Sequence, residues 1–172
     1  MIDQSTNLKT ELLSILEEAP YYYLKSPSIV RKITKNGRIF YSKYHLLEES
    51  VNQQIKKDYL NGKISIATPL GDNEIFIRYF NSENRQRFLY IFRKILRDFK
   101  IKREIFFIDE MDVINILISF EQEEKALNKI LEIISKNLEK VLEKEWKILP
   151  DKSLPKDYNI FIFPDQKLFS NQ

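Results

Sequence analysis

No cysteine occurs anywhere in the 172 residues. Disulfides and thiolate metal sites are therefore excluded, and nothing points to an oxidising compartment. Glycine is nearly as scarce: Gly37, Gly62 and Gly71 are the only three, too few and too scattered for a phosphate-cradling loop or a dinucleotide fingerprint. The single histidine, His45, has no second histidine or cysteine with which to complete a nitrogen/sulfur zinc site. A Ser/His/acid triad would rest on it without local support, so it reads as a surface residue or one at a helix start. No stretch approaches the roughly 20 apolar residues that span a bilayer. Met1 to Leu16 mixes polar and apolar residues, including Glu11, and lacks the apolar core of a secretory signal. These absences lead us to expect a soluble, cytoplasmic protein with no cofactor and no membrane partner.

What is present is an uneven charge distribution. The net charge is only +3, but no acidic residue lies between Glu18 and Glu48. That window contains Lys25, Arg31, Lys32, Lys35, Arg38 and Lys43. It contributes +6, and the remaining 22 basic and 25 acidic residues sum to −3. Interleaved with the basic residues are Tyr21, Tyr22, Tyr23, Phe40, Tyr41 and Tyr44. Cations neutralise phosphates, and aromatic rings stack on unpaired bases at roughly 1–3 kcal/mol each. The plain alternative is a hairpin with a solvated basic face and aromatics in the core.

A length of 172 residues suits one domain. Ser5 to Glu18 places Leu8, Leu12, Ile15 and Leu16 at helical spacing, which predicts a first helix closed by Pro20. Ile29 to Thr34 and Arg38 to Tyr41 flank Lys35-Asn36-Gly37, the signature of a tight hairpin. Leu47, Val51, Ile55 and Tyr59 recur every four positions, predicting a helix over 46–60 stopped by Asn61-Gly62. Lys63 to Ala67 and Glu74 to Phe80 read as a second hairpin around a turn-rich segment. Glu83 to Phe99 reads as an amphipathic helix. Ile101 to Ile108 and Val113 to Phe120 read as strands joined by Asp109-Glu110-Met111-Asp112. A long helix is expected over 121–145, with Trp146 as a core anchor at its end, and a buried strand over 158–163. The expectation is one α+β domain over 1–172, with helices packed on a mixed or antiparallel sheet. It divides into an N-terminal helix (1–20), a basic hairpin (21–45), a core (46–165) and a tail (166–172).

Asp109, Glu110 and Asp112 are weak candidates for a hard cation, because magnesium takes oxygen ligands. An acidic hairpin tip is also ordinary turn chemistry. No metal or catalytic residue is assigned.

The order of segments resembles the archaeo-eukaryotic primase superfamily, in particular primase-polymerases found with mobile elements and CRISPR or other defence systems. The resemblance rests on Arg38-Ile39-Phe40-Tyr41, a helix, Gly62 to Leu70, Ile118-Ser119-Phe120-Glu121 and Leu154 to Pro164, covering roughly residues 38–165. It implies a primase-like or RRM-like fold. The family's metal-binding Asp-x-Asp falls on Tyr79-Phe80-Asn81 and its histidine near Asn115. The resemblance therefore implies a degenerate member without polymerase chemistry, since two-metal transfer needs such carboxylates.

The expected function is that of a non-catalytic, nucleic-acid-binding accessory domain in replication, mobile-element maintenance or defence. Its ligand is single-stranded or primed DNA, with RNA as the alternative. Lys25, Arg31, Lys32, Lys35, Arg38 and Lys43 are expected at phosphates, and Tyr41 and Tyr44 at bases. Arg78, Arg85, Arg93 and Arg97 form a second group. One rival is a protein-interaction or dimerisation module acting through helix 121–145 or an open sheet edge. The other is a metal-dependent nucleotidyl-transfer enzyme or nuclease with relocated carboxylates.

Overall fold

The structure is a computed structural model, and it describes residues 4–121 and 126–165. The chain is α+β. It divides into two compact units, Met1–Pro69 with Asp151–Gln172, and Leu70–Pro150. In chain order the first unit contributes α1 (Gln4–Glu18), β1 (Tyr22–Lys25), β2 (Arg31–Lys35), β3 (Arg38–Ser42), β4 (Tyr44–Leu47), α2 (Gln53–Leu60) and β5 (Ile66–Pro69). The second contributes β6 (Glu74–Tyr79), α3 (Arg85–Leu96), β7 (Ile101–Ile108), β8 (Ile114–Phe120), α4 (Leu127–Glu139) and β9 (Trp146–Leu149). The chain then returns to the first unit with β10 (Ile160–Ile162).

In the first unit, Leu12, Ile15 and Leu16 of α1 are buried, as their helical spacing requires. An antiparallel sheet runs in the order β10-β5-β1-β4, with Tyr23, Ala67 and Ile160 forming a small core. Asn52 caps α2 by accepting from the Ile55 amide at 2.9 Å, and Gly62, at φ +69°, ends it. Tyr59 of α2 donates to the Pro164 carbonyl at 2.8 Å. Strands β2 and β3 form a separate two-stranded sheet. Their turn places Asn36 at φ +52° and Gly37 at φ +73°, the left-handed pair that a two-residue hairpin loop requires.

The second unit reads β-α-β-β-α-β with the antiparallel order β7-β8-β6-β9. This is the split βαβ arrangement of ferredoxin-like and RRM-like folds. On one side, Ile75, Ile77, Ile114, Ile116 and Ile118 form a core with Ile130, Ile134 and Leu138 of α4. Tyr79 stacks on Phe88 of α3 at 4.1 Å, and Phe88 on Phe92 at 5.5 Å.

Four expectations change. The helix expected over 46–60 starts only at Gln53, because Tyr44–Leu47 pairs with β1 instead. The runs 63–67 and 74–80 are not a hairpin, since β5 pairs with β1 and β10 whereas β6 pairs with β8 and β9. The helix expected over 121–145 is Leu127–Glu139. Beyond it Val141 leaves the buried stripe, and Trp146 is a buried residue of β9 opposite Tyr79. Residues 122–125, where that helix was expected to begin, and the expected tail 166–172 lie outside the described residues. Finally, Tyr22, Tyr23 and Phe40 are buried, so half of the six aromatic residues of the basic window belong to the core.

Candidate nucleic-acid interface

In the β2–β3 ladder, residues directly opposite each other share a face. Arg31 with Ser42, Ile33 with Phe40 and Lys35 with Arg38 share one face; Lys32 with Tyr41 and Thr34 with Ile39 share the other. Burial separates them. Phe40 and Ser42 are buried, whereas Ile39 and Tyr41 are each 52% exposed and Lys32 and Thr34 are exposed beside them.

The inner face is fastened to the stretch Leu154–Tyr158. Arg31 Nη2 lies 2.5 Å from Oδ1 of Asp157, whose side chain is only 2% exposed. Lys35 Nζ donates to the Leu154 carbonyl at 2.8 Å. The Tyr158 ring meets Phe40 edge-on at 5.4 Å, and its hydroxyl donates to the Tyr41 carbonyl at 2.6 Å. A hydrogen bond to a charged group contributes about 1.5–3 kcal/mol; solvent reaching Arg31, half exposed, puts this one at the lower end.

The six basic residues of the window therefore differ in what they can offer. Arg31 and Lys35 are engaged by their own fold. Arg38 lies over the Phe40 ring, 5.4 Å from its centroid, with its own surface exposed. Lys25, Lys32 and Lys43 are exposed and have no side-chain hydrogen bond or ion pair among the described residues. Of the two expected stacking residues, Tyr41 is on the outer face. Tyr44 is half-buried against the small core of the first unit.

The second group of arginines is largely occupied by neighbours in the second unit. Arg78 Nε donates to Asn115 Oδ1 at 3.0 Å and its Nη2 to Asp109 Oδ2 at 3.3 Å. Arg85 lies 3.6 Å from Asp112, and Arg93 pairs with Glu104. Arg97 is exposed just beyond α3 and has no side-chain partner among the described residues. The sheet face that carries base-stacking aromatics in RRM modules here bears Phe76, Ile105, Phe107 and Leu117, all buried. An exposed aromatic platform is missing from those positions.

The acidic turn is structural chemistry. Asp109 Oδ1 accepts from the Met111 and Val113 amides at 2.9 and 3.2 Å. Its Oδ2 accepts from Arg78 and from Asn115. Both oxygens are thus saturated by the fold, and no group of three or more His, Cys, Asp or Glu side chains converges among the described residues. Asn81 caps the 3-10 turn Ser82–Asn84 and donates to Glu145 at 2.8 Å. Asn81 and Asn115 thus hold local structure. His45 is exposed on β4.

Residues missed from the sequence are Asp157 and Tyr158. Their partners lie more than 100 positions away, and no local pattern announces such a pairing.

The chain is similar, over residues 6–74, to a family described only as a domain of unknown function (DUF1882). No curated protein matches it. The matched stretch runs from α1 to the first residue of β6 and includes the hairpin. It leaves out Leu154–Tyr158, to which the hairpin is fastened.

Proposed function

We propose that this protein is a non-catalytic nucleic-acid-binding accessory factor whose contact surface is the outer face of the β2–β3 hairpin. The observation that carries the reading is the juxtaposition of an exposed Tyr41 with Lys32 directly across the ladder. Lys43 follows two positions after Tyr41, and Lys25 and Arg38 are exposed elsewhere in the same window. One accessible ring and several unpaired cations suit an unpaired strand: the ring takes a base, and the ammonium groups take flanking phosphates. Single-stranded or primed DNA is the favoured ligand, with RNA offering the same chemistry. A role in replication, mobile-element maintenance or defence, and descent from a primase-like ancestor, belong to the same proposal. They are supported by the segment order and by the RRM-like strand order of the second unit.

A fluorescently labelled mixed-sequence single strand should bind in the micromolar range or tighter at about 50 mM salt and weaken steeply as salt rises. No binding at that salt, or binding indifferent to salt, would overturn the reading.

A second reading is favoured by a specific observation: Ile39 on the outer face is 52% exposed, and Ile29 and Val30, just before β2, are 55% and 41% exposed. Aliphatic side chains neither stack on bases nor hold phosphates, and clustered exposure of this kind marks protein-binding surfaces. Helix α4 offers less for such docking, because its apolar stripe is buried in the second unit's core. Changing Ile29 and Ile39 to Ser should leave nucleic-acid affinity nearly unchanged if the first reading is right.

A further inference from the structure

We infer that the stretch Leu154–Tyr158 is a clamp that fixes the shape and orientation of the binding hairpin, with Asp157 and Tyr158 as positioning residues for a surface they do not themselves form. The inference rests on the hairpin being the binding face proposed above. A two-stranded hairpin is marginal on its own in water, and among the described residues β2 and β3 hydrogen-bond to no third strand. What holds this one is concentrated in five residues. The buried Asp157 carboxylate receives Arg31 from the start of β2. The Leu154 carbonyl receives Lys35 from the end of the same strand. Tyr158 meets the Phe40 ring and donates to the Tyr41 carbonyl on β3.

These contacts reach both ends of β2 and the middle of β3, so they constrain the twist of the ladder as well as its position. They all act from the inner face, which leaves the side chains of Lys32 and Tyr41 exposed on the other. The Tyr158 bond is to the backbone of the stacking residue itself, so it fixes where that ring is presented without covering it. Pre-set geometry of this kind lowers the ordering cost that a mobile hairpin would meet on binding. The same stretch is steadied in turn: Pro155 precedes the 3-10 turn Lys156–Tyr158, and Lys156 Nζ sits 4.4 Å from the centre of the Tyr21 ring.

The test uses the full chain with Asp157→Asn and, separately, Tyr158→Phe, which removes one hydroxyl and keeps the ring. Amide hydrogen exchange is followed over residues 31–42 and, as an internal control, over β1 and β5. Affinity for a labelled single strand is measured across a salt series. Both variants should speed exchange in the hairpin at least fivefold while β1 and β5 keep their protection. They should weaken single-strand binding about five- to tenfold, with the salt slope unchanged because no phosphate contact is deleted. Adding Arg31→Gln to Asp157→Asn should cost nothing further, since the two residues act as one pair. Unchanged hairpin exchange in both variants overturns the clamp. So does exchange that rises equally in β1 and β5, which would make the residues general stabilisers. If hairpin exchange rises selectively but the unaltered protein binds no strand, the clamp stands and the nucleic-acid reading falls.

Discussion

Arg31 and Lys32 are adjacent in sequence and face opposite ways: Arg31 reaches inward to the buried Asp157, while Lys32 lies on the exposed side of the ladder opposite Tyr41. Alternation along a strand enforces this separation. It divides a basic run that looks uniform in sequence into residues that hold the hairpin and residues that can meet a ligand.

Tyr41→Ala tests the stacking half of the account. A base stacked on an aromatic ring contributes about 1–3 kcal/mol, so single-strand affinity should fall between about fivefold and two-hundredfold. The Tyr158 hydroxyl bonds the backbone carbonyl of residue 41 and does not need the ring. Denaturant unfolding should therefore shift by no more than about 0.5 kcal/mol. Equal affinity for the variant would show that Tyr41 is a bystander.

Asp109→Ala tests whether the acidic turn is structural. The substitution removes the acceptor for two backbone amides and for Arg78 and Asn115. Leaving such donors unmet costs about 1–3 kcal/mol, which a urea melt will read directly. Nucleic-acid affinity should stay within a factor of about two. If stability is untouched and a magnesium-dependent activity disappears, the turn is a metal site after all.

A pH-dependent signature comes from buried tyrosines of the first unit. Burial, with a smaller contribution from Asp165, pushes the Tyr59 hydroxyl well above its ordinary value. Burial, with Asp157 and Tyr21, does the same for Tyr23 against a smaller opposing effect of Arg31. A raised folded-state pKa means that the folded chain keeps a proton the unfolded chain releases. The stabilisation is then fully present below about pH 10, the ordinary tyrosine value, and is lost as pH rises beyond it. The melting temperature should fall above about pH 10, and less steeply in Tyr59→Phe. An equally steep fall in that variant would remove Tyr59 from the explanation.

The parts of this structure legible in the sequence are those whose signals are local. Asn36-Gly37 dictates a hairpin because its two residues tolerate left-handed backbone, and the stripe from Leu127 to Leu138 dictates an amphipathic helix. Strands β1 and β4 were hidden because their pairing is with each other, from Lys25 with Tyr44 to Tyr22 with Leu47, while Leu47 to Tyr59 mimics helical spacing. The separation of β5 from β6 into different sheets was illegible for the same reason: each finds its partners far along the chain. At the candidate site, the sequence supplied the charges and rings. It could not say which side of the ladder each occupies, because Asp157, which claims Arg31, lies 126 positions away.

The most direct measurement of the central claim is the salt dependence of single-strand binding for Lys32→Ser/Lys43→Ser set beside Lys35→Ser. Each phosphate contact contributes about 0.7 to the slope of log affinity against log salt for a single strand. The account predicts a slope shallower by about 1.4 for the double variant and unchanged for Lys35→Ser, whose ammonium is held by the Leu154 carbonyl. An unchanged slope in the double variant, or an equal loss from Lys35→Ser, would contradict the assignment of the outer face as the nucleic-acid surface.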